Sequence, residues 1–351
     1  MTKEILGAAR SRRIALDDAV STAAKSASFD YANQNSLRSG CLLHNMKSEL
    51  SLNRMSIVQR QFFQRVIKPW LFVLPLLIVN VVVILGPSLS AVYYAFTDWS
   101  GLGDAKWIGL DNFRRLFLDE VFWQAIRNNL IWCALFLTVP ILMALAGASL
   151  LSQVRRGRTF FRTIYFIPYI LASVVVTQVW RNILHPSYGL GVQIAKLSPA
   201  LKWADIKFFG DANVVLYSVA FVDNWHWWGF LTVLYLAAMQ NVDLNLYEAA
   251  RIEGANRWQE FVNVTLPGIR PTLIFTLLIT VIFSFLAFDY VYQLTQGGPA
   301  NASEMLSTMT YKAAFRRFEA GYAAAIGLTT SFICLIFGGA FVVLRRRGWE
   351  I

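Results

Sequence analysis

Two stretches of the chain combine residue types and spacings that can do chemistry. The first covers residues 245–267, NLYEAARIEGANRWQEFVNVTLP. Glu248, Arg251, Glu253, Arg257 and Glu260 recur there at helical spacing. Asn245 with Glu248 three residues on forms a capping-box pattern for a helix start. Ala249, Ala250 and Gly254 gather on one side with almost no side-chain bulk, and Leu266-Pro267 ends the helix. Such a helix, set between apolar runs, suits a groove on another protein; the bland alternative is an ordinary exposed amphipathic helix. Gly254 reads as a mid-helix glycine that permits close backbone approach. On that reading, leucine there would raise helix propensity by up to about 1 kcal/mol.

The second set is polar groups inside apolar runs, where burial in lipid is costly and function is the default hypothesis. Asp223-Asn224-Trp225-His226-Trp227-Trp228 interrupts one run, and Phe288-Asp289-Tyr290-Val291-Tyr292-Gln293 ends the next. Aromatic faces stack on the C–H faces of a sugar, while amide, carboxylate and phenol groups bind its hydroxyls. The candidates for a solute path are therefore Asp223, Asn224, Trp227, Asp289, Tyr290 and Tyr292. An interfacial aromatic belt is the other reading of the tryptophans, and a helix-to-helix hydrogen bond that of Asp223. His226 by itself reads as a packing and hydrogen-bonding residue.

The elements that must hold these groups follow from composition. Hydrophobic residues make up 56% of the 351-residue chain and charged residues only 15%, well outside soluble norms. The net charge of +11 could suggest nucleic acid, but the arginines and lysines cluster beside apolar runs, as in membrane proteins. Cys41, Cys133 and Cys334 are scattered and odd in number, two of them inside apolar runs, so they read as small hydrophobes. Three dispersed histidines offer no ligand cluster. No catalytic, metal or cofactor-binding site is expected.

Residues 1–66 differ from the rest, being rich in Ser, Ala, Asn and Arg without a membrane-length apolar run. They read as an N-terminal extension, largely disordered, with a basic amphipathic lead-in from Met55. A basic start is not followed by an apolar core and cleavage site, so this is no secretory signal. Residues 67–351 hold six apolar runs, near 70–96, 130–151, 163–180, 214–239, 271–293 and 322–344. The expected class is an all-α polytopic membrane protein. The segment before the first run is strongly basic, Arg155, Arg156, Arg158 and Arg162 fall around the second-to-third loop, and Arg345–Arg347 end the chain. With six spans all three lie on one side, which places both termini, and the 245–267 helix, in the cytoplasm.

Glu248-Ala249-Ala250, three residues, Gly254, nine residues, Val264, one residue, Leu266-Pro267 resembles the EAA loop of permease subunits of ATP-binding-cassette (ABC) importers. Val264 departs mildly from the isoleucine usual there. FIPYILASVVVTQVWRNIL, AFDYVYQLTQGGPANASEML and IGLDNFRRLF are similar to the carbohydrate-importer branch, of the maltose and glycerol-3-phosphate type. The likeness covers residues 55–351, so the first 54 read as an extension or a misplaced start. The resemblance implies the six-helix type I importer fold with a cytoplasmic coupling helix carrying Glu248, Ala249, Ala250, Gly254, Leu266 and Pro267. It also implies a bacterial inner-membrane location and a sugar, di- or oligosaccharide, as solute. A second similar permease, two ATPase subunits and an external solute-binding protein would be the partners. Glycerol-3-phosphate or a polyol is the alternative solute. The chain has no G-x-x-x-x-G-K-[ST] and no Gly-Lys pair, so ATP and Mg would be used by the partners. A proton-coupled transporter would need more intramembrane titratable groups than Asp223 and Asp289. A membrane enzyme would need a clustered catalytic set.

Overall fold

A computed structural model describes residues 68–154, 156–189 and 207–346, with isolated positions at 22, 192–193 and 196. Apart from Thr22, the expected N-terminal extension lies outside the described residues. Two compact units are present, Met1–Gly86 and Pro87–Ile351. In the first, α1 (Lys68–Asn80) passes into a π-turn, Val81–Leu85. Its sequence is apolar all round, with Pro75 inside, and no residue of the π-turn is buried. Phe72 is 88% exposed, as befits a helix whose outer surface meets something other than this unit.

The regular elements among the second unit's described residues are all helices, with one isolated bridge between Thr97 and Trp107. After α2 (Gly86–Tyr94), a turn is pinned by Asn112, whose amide donates to the carbonyls of Ala95 (2.9 Å) and Thr97 (2.8 Å). Asn112 stands on α3 (Asp111–Leu118). The 34-residue α4 (Glu120–Gln153) is capped by Asp119, which accepts from the Val121 amide. It packs along α7 (Val215–Met239), and their buried faces supply Trp132, Phe136, Ile141, Ala144, Leu231 and Tyr235 to the core. The expected second span is thus the inner part of a longer helix.

The third apolar run is not one straight helix. α5 (Arg158–Ile170) and α6 (Ser173–Ile183) meet at 94°, with Leu171 and Ala172 extended between them. Pro168 near the end of α5 removes an amide from the turn before the corner. α7 provides the surface for the bend. Gly229 lies against the carbonyl of Tyr165, where a Cβ would collide, and the His226 ring packs 5.3 Å from the Tyr169 ring.

Beyond α7 come two short helices, α8 (Leu244–Ile252) and α9 (Arg257–Glu260), then a π-turn at Phe261–Thr265 and α10 (Leu266–Gly268). The Leu266 amide bonds the carbonyl of Phe261. This wider turn directly precedes Pro267, whose ring would clash in a regular helix. α11 (Arg270–Phe285) breaks at residues 286–288 and resumes as α12 (Asp289–Leu294). α13 (Leu306–Tyr311) and α14 (Ala320–Arg346) complete the described chain. Among the described residues four helices are long and apolar enough to cross a membrane, five with the bent α5–α6 pair taken as one span. α7 has span length at 25 residues, but Asp223–Trp228 interrupts its apolar run.

Glycine positions separate tight from open packing. Gly229→Ala should lower stability by about 1–3 kcal/mol, because a Cβ would push α5 off α7. Gly338→Ala meets nothing within 4 Å and should be near neutral. Thermal unfolding of the purified detergent-solubilised variants measures the difference; equal midpoints would refute this account of the bend.

Candidate functional site

The 245–267 stretch is an elbow of two helices, not the single helix expected from periodicity. The start lies two residues earlier than expected: Asp243 is the N-cap, its carboxylate accepting from the Asn245 amide at 2.9 Å. Asn245 therefore sits inside α8 and Glu248 is not at the capping-box position. The capping box falls instead on the second helix. There the Asn256 side chain accepts from the Gln259 amide (2.9 Å) and Gln259 accepts from the Asn256 amide (2.8 Å).

Gly254 is likewise not a mid-helix residue. Its φ is +83°, a left-handed conformation that glycine adopts without steric cost. The Gly254 amide bonds the carbonyl of Arg251 (3.0 Å), and the Ala255 amide that of Ala250 (2.9 Å). That pair of bonds is a Schellman termination of α8. An L-residue there strains the backbone by about 1–2 kcal/mol, opposite in sign to the expected gain in helix propensity. An ion pair closes the elbow. Arg251 Nε reaches Glu260 Oε1 at 2.7 Å, and this bond holds the guanidinium pKa above its ordinary value. Tyr247 bonds Thr265 at 2.9 Å, and Arg257 bonds Gln153 at the end of α4.

Glu248, Ala249 and Gly254 are exposed and Ala250 is half-buried. A Cβ at Gly254 meets nothing within 4 Å. Leu266 is half-buried and Pro267 exposed. Sequence reasoning missed the apolar partners of this small-residue face. Ile252 is 87%, Leu244 74% and Trp258 71% exposed on an otherwise charged elbow.

The six residues considered for a solute path do not gather in one place. Asp223, half-buried on α7, stands one turn before His226, and Asp289, exposed at the first turn of α12, adjoins Tyr290 in the chain. Both carboxylates act electrostatically on the Tyr290 phenol. The His226 ring lies 5.6 Å from the Tyr290 ring. Tyr290 is 8% exposed, yet its hydroxyl has no hydrogen-bond partner.

Asn224 is buried on another side of α7, its amide reaching the Met143 sulfur at 3.5 Å while its carbonyl oxygen is unpaired. Trp227 packs among Tyr169, Phe230 and Phe283 with centroids 5.2–6.0 Å apart, a packing environment apart from the carboxylates. Tyr292 belongs to a third cluster. It stacks on Phe288 at 5.0 Å, meets Tyr311 edge-on and accepts from Arg316.

α12 is held by its neighbours. Gln293 accepts from Thr177 (2.7 Å), donates to Ser173 (3.2 Å) and accepts from Arg181 through its main chain, so α12 and α6 are clamped together. The break before α12 is covered as well: Asn129 donates to the Ser284 carbonyl (2.9 Å) and Ser307 to that of Ala287. A groove of about 960 Å³ beside Leu286, Phe288, Gly327 and Cys334 is lined without a single charged residue. Among the described residues no group of His, Cys, Asp and Glu could hold a metal ion.

Comparison with known proteins places this geometry. Residues 137–349 match the family model described as the binding-protein-dependent transport system inner membrane component. The chain is 34% identical over 275 residues to the probable ABC transporter permease protein YurN of Bacillus subtilis, covering 78% of this chain and 94% of that one. It is 32% identical over 291 residues to AmyD of Thermoanaerobacterium thermosulfurigenes, a probable starch degradation products transport system permease, covering 82% and 97%. Among solved structures it resembles a chain of a bacterial ABC transporter involved in import of the acidic polysaccharide alginate. The TM-score there is 0.74 at 25% identity, over 82% of this chain and 98% of the other. With its broken helices, its exposed elbow and these relatives, the chain belongs to the family of inner-membrane permease components of binding-protein-dependent ABC transport systems.

Proposed function

We propose that this chain is one of two permease subunits of a bacterial importer for a di- or oligosaccharide, moved by ATP hydrolysis in partner subunits. Relatives named for starch products, diacetylchitobiose and lactose support a sugar as the solute. An external solute-binding protein delivers the sugar, as the family description implies. Two ATPase subunits bind ATP and Mg, and this chain contributes no nucleotide site. A glycerol-3-phosphate or polyol permease is the alternative within the family; proton-coupled transport leaves the elbow without a purpose.

The observation that carries the coupling role is the exposed apolar set on the elbow, Leu244, Ile252 and Trp258, around the open backbone at Gly254. Apolar side chains this exposed on a charged segment mark a protein interface. Glu248, Ala249, Ala250, Gly254, Leu266 and Pro267 form the rest of the coupling segment. The Schellman turn and the Arg251–Glu260 pair make the elbow rigid, so that an ATPase subunit moving against it displaces α10 and α11 as a body. The solute path passes Asp223, Asp289 and Tyr290, with Asn224, Trp227 and Tyr292 as its further candidates. Both termini and the elbow face the cytoplasm, and residues 1–66 form a cytoplasmic extension ahead of the permease domain.

Substitution at Gly254 separates turn strain from docking. Gly254→Asn tolerates the left-handed conformation but adds bulk to the face. Gly254→Ala adds little bulk and strains the turn. In the reconstituted complex, Gly254→Asn should reduce ATPase retention and solute-stimulated hydrolysis more than Gly254→Ala, and Ile252→Asp should do the same. If Gly254→Asn retains full ATPase stoichiometry and normal stimulated turnover, the elbow does not dock the ATPase. For orientation, single cysteines at Asp104 and Arg156 should react with impermeant reagents from opposite sides of the membrane. Labelling of both from outside would overturn the topology.

A further inference from the structure

The proposed path carries a sign of charge. Asp289 adjoins Tyr290 on α12, and Asp223 stands one turn before His226 on α7, whose ring lies 5.6 Å from the Tyr290 ring. Among the described residues neither carboxylate is in an ion pair. The cations flanking α12 are engaged elsewhere. Arg181 donates to the Gln293 carbonyl, Arg316 to Gln296 at 2.8 Å and to Tyr292, and Lys312 pairs with buried Glu304. His226 packs between the rings of Tyr169 and Tyr290, at 5.3 and 5.6 Å.

The second observation is independent of charge. Tyr290 is more than nine-tenths buried, and its hydroxyl lacks any partner. Leaving a buried phenol unpaired is costly, so such a group beside two free carboxylates awaits a donor or acceptor from outside the chain.

Resting on the reading that solute passes here, we infer that the Asp223–Tyr290–Asp289 cluster admits neutral or cationic sugars and rejects anionic ones, uronates and sugar phosphates included. Hydroxyl and ammonium groups donate to carboxylates, and an ammonium gains charge assistance. A solute carboxylate or phosphate brings acceptors to acceptors and like charge to like charge. This sets the chain apart from its structural relative in alginate import, whose solute is an acidic polysaccharide. Within the alternatives for this family, it disfavours glycerol-3-phosphate and favours unmodified or amino sugars.

The test uses the complete complex in proteoliposomes: both permeases, the ATPase and the binding protein. Asp289→Cys is reacted with cationic and anionic methanethiosulfonates of similar size. The cationic reagent should be favoured by about tenfold relative to a free thiol in solution, and adding Asp223→Asn should bring that preference back toward one. A preference absent at the outset, or unchanged by Asp223→Asn in a complex that still assembles, would overturn the inference. In parallel, uptake by the unaltered complex is measured with neutral, amino and uronic-acid oligosaccharides. An oligouronate entering as fast as the neutral sugars overturns charge selection while leaving the importer reading intact. Uptake of no sugar of any charge overturns the importer reading instead, and the thiol preference then decides by itself whether the cluster selects by charge.

Discussion

The constraint on which the rest of this structure depends is that backbone groups freed where a helix breaks inside an apolar environment must be bonded by something else. At the corner between α5 and α6, the amides of Leu171, Val175 and Val176 bond the carbonyls of Pro168 and Ala172 at 2.9–3.3 Å, and the His226 ring packs 5.3 Å from that of Tyr169. At the break between α11 and α12, Asn129 and Ser307 bond the carbonyls of Ser284 and Ala287. The neighbouring Asn128 donates to the carbonyls of Ala302 (3.0 Å) and Glu304 (2.9 Å), tying the loop after α12 to the same helix. His226, which the sequence marks as a packing residue, packs at the α5–α6 corner against the Tyr169 ring.

These repairs bring the site together. A straight helix over residues 163–180 could not place α6 beside α12, nor let Gln293 join Thr177, Ser173 and Arg181. A continuous helix over residues 271–293 would not turn at residues 286–288 to set Asp289 and Tyr290 against Asp223. The polar groups inside the apolar core therefore have two roles. Those with partners define the breaks, and those without, the Tyr290 hydroxyl above all, are what the breaks present.

The elbow is organised by a different economy, local and water-facing. Asp243, Asn256 and Gly254 each satisfy a helix end, and Arg251–Glu260 ties the two halves. Stiffness here comes from short-range hydrogen bonds, leaving large apolar side chains free for a partner.

The sequence by itself determined the class, the apolar runs, the polar 245–267 stretch between two of them and the polar interruptions at 223–228 and 288–293, because burial in lipid and helix capping act over short stretches. The Glu248–Pro267 spacing was enough to point to the family. It did not determine the cap at Asp243, the turn at Gly254 or the 94° bend. A capping box can be written on several neighbouring residues, and only the chain path selects one. A glycine's φ is invisible in a pattern that fits a helix on both sides. The bend depends on contacts of α5 with Gly229 and His226, more than 50 residues away. Nor could sequence divide the six path candidates. Asp223 and Asn224 are adjacent in the chain but point about 100° apart on a helix, so packing alone sends one toward Tyr290 and the other toward Met143.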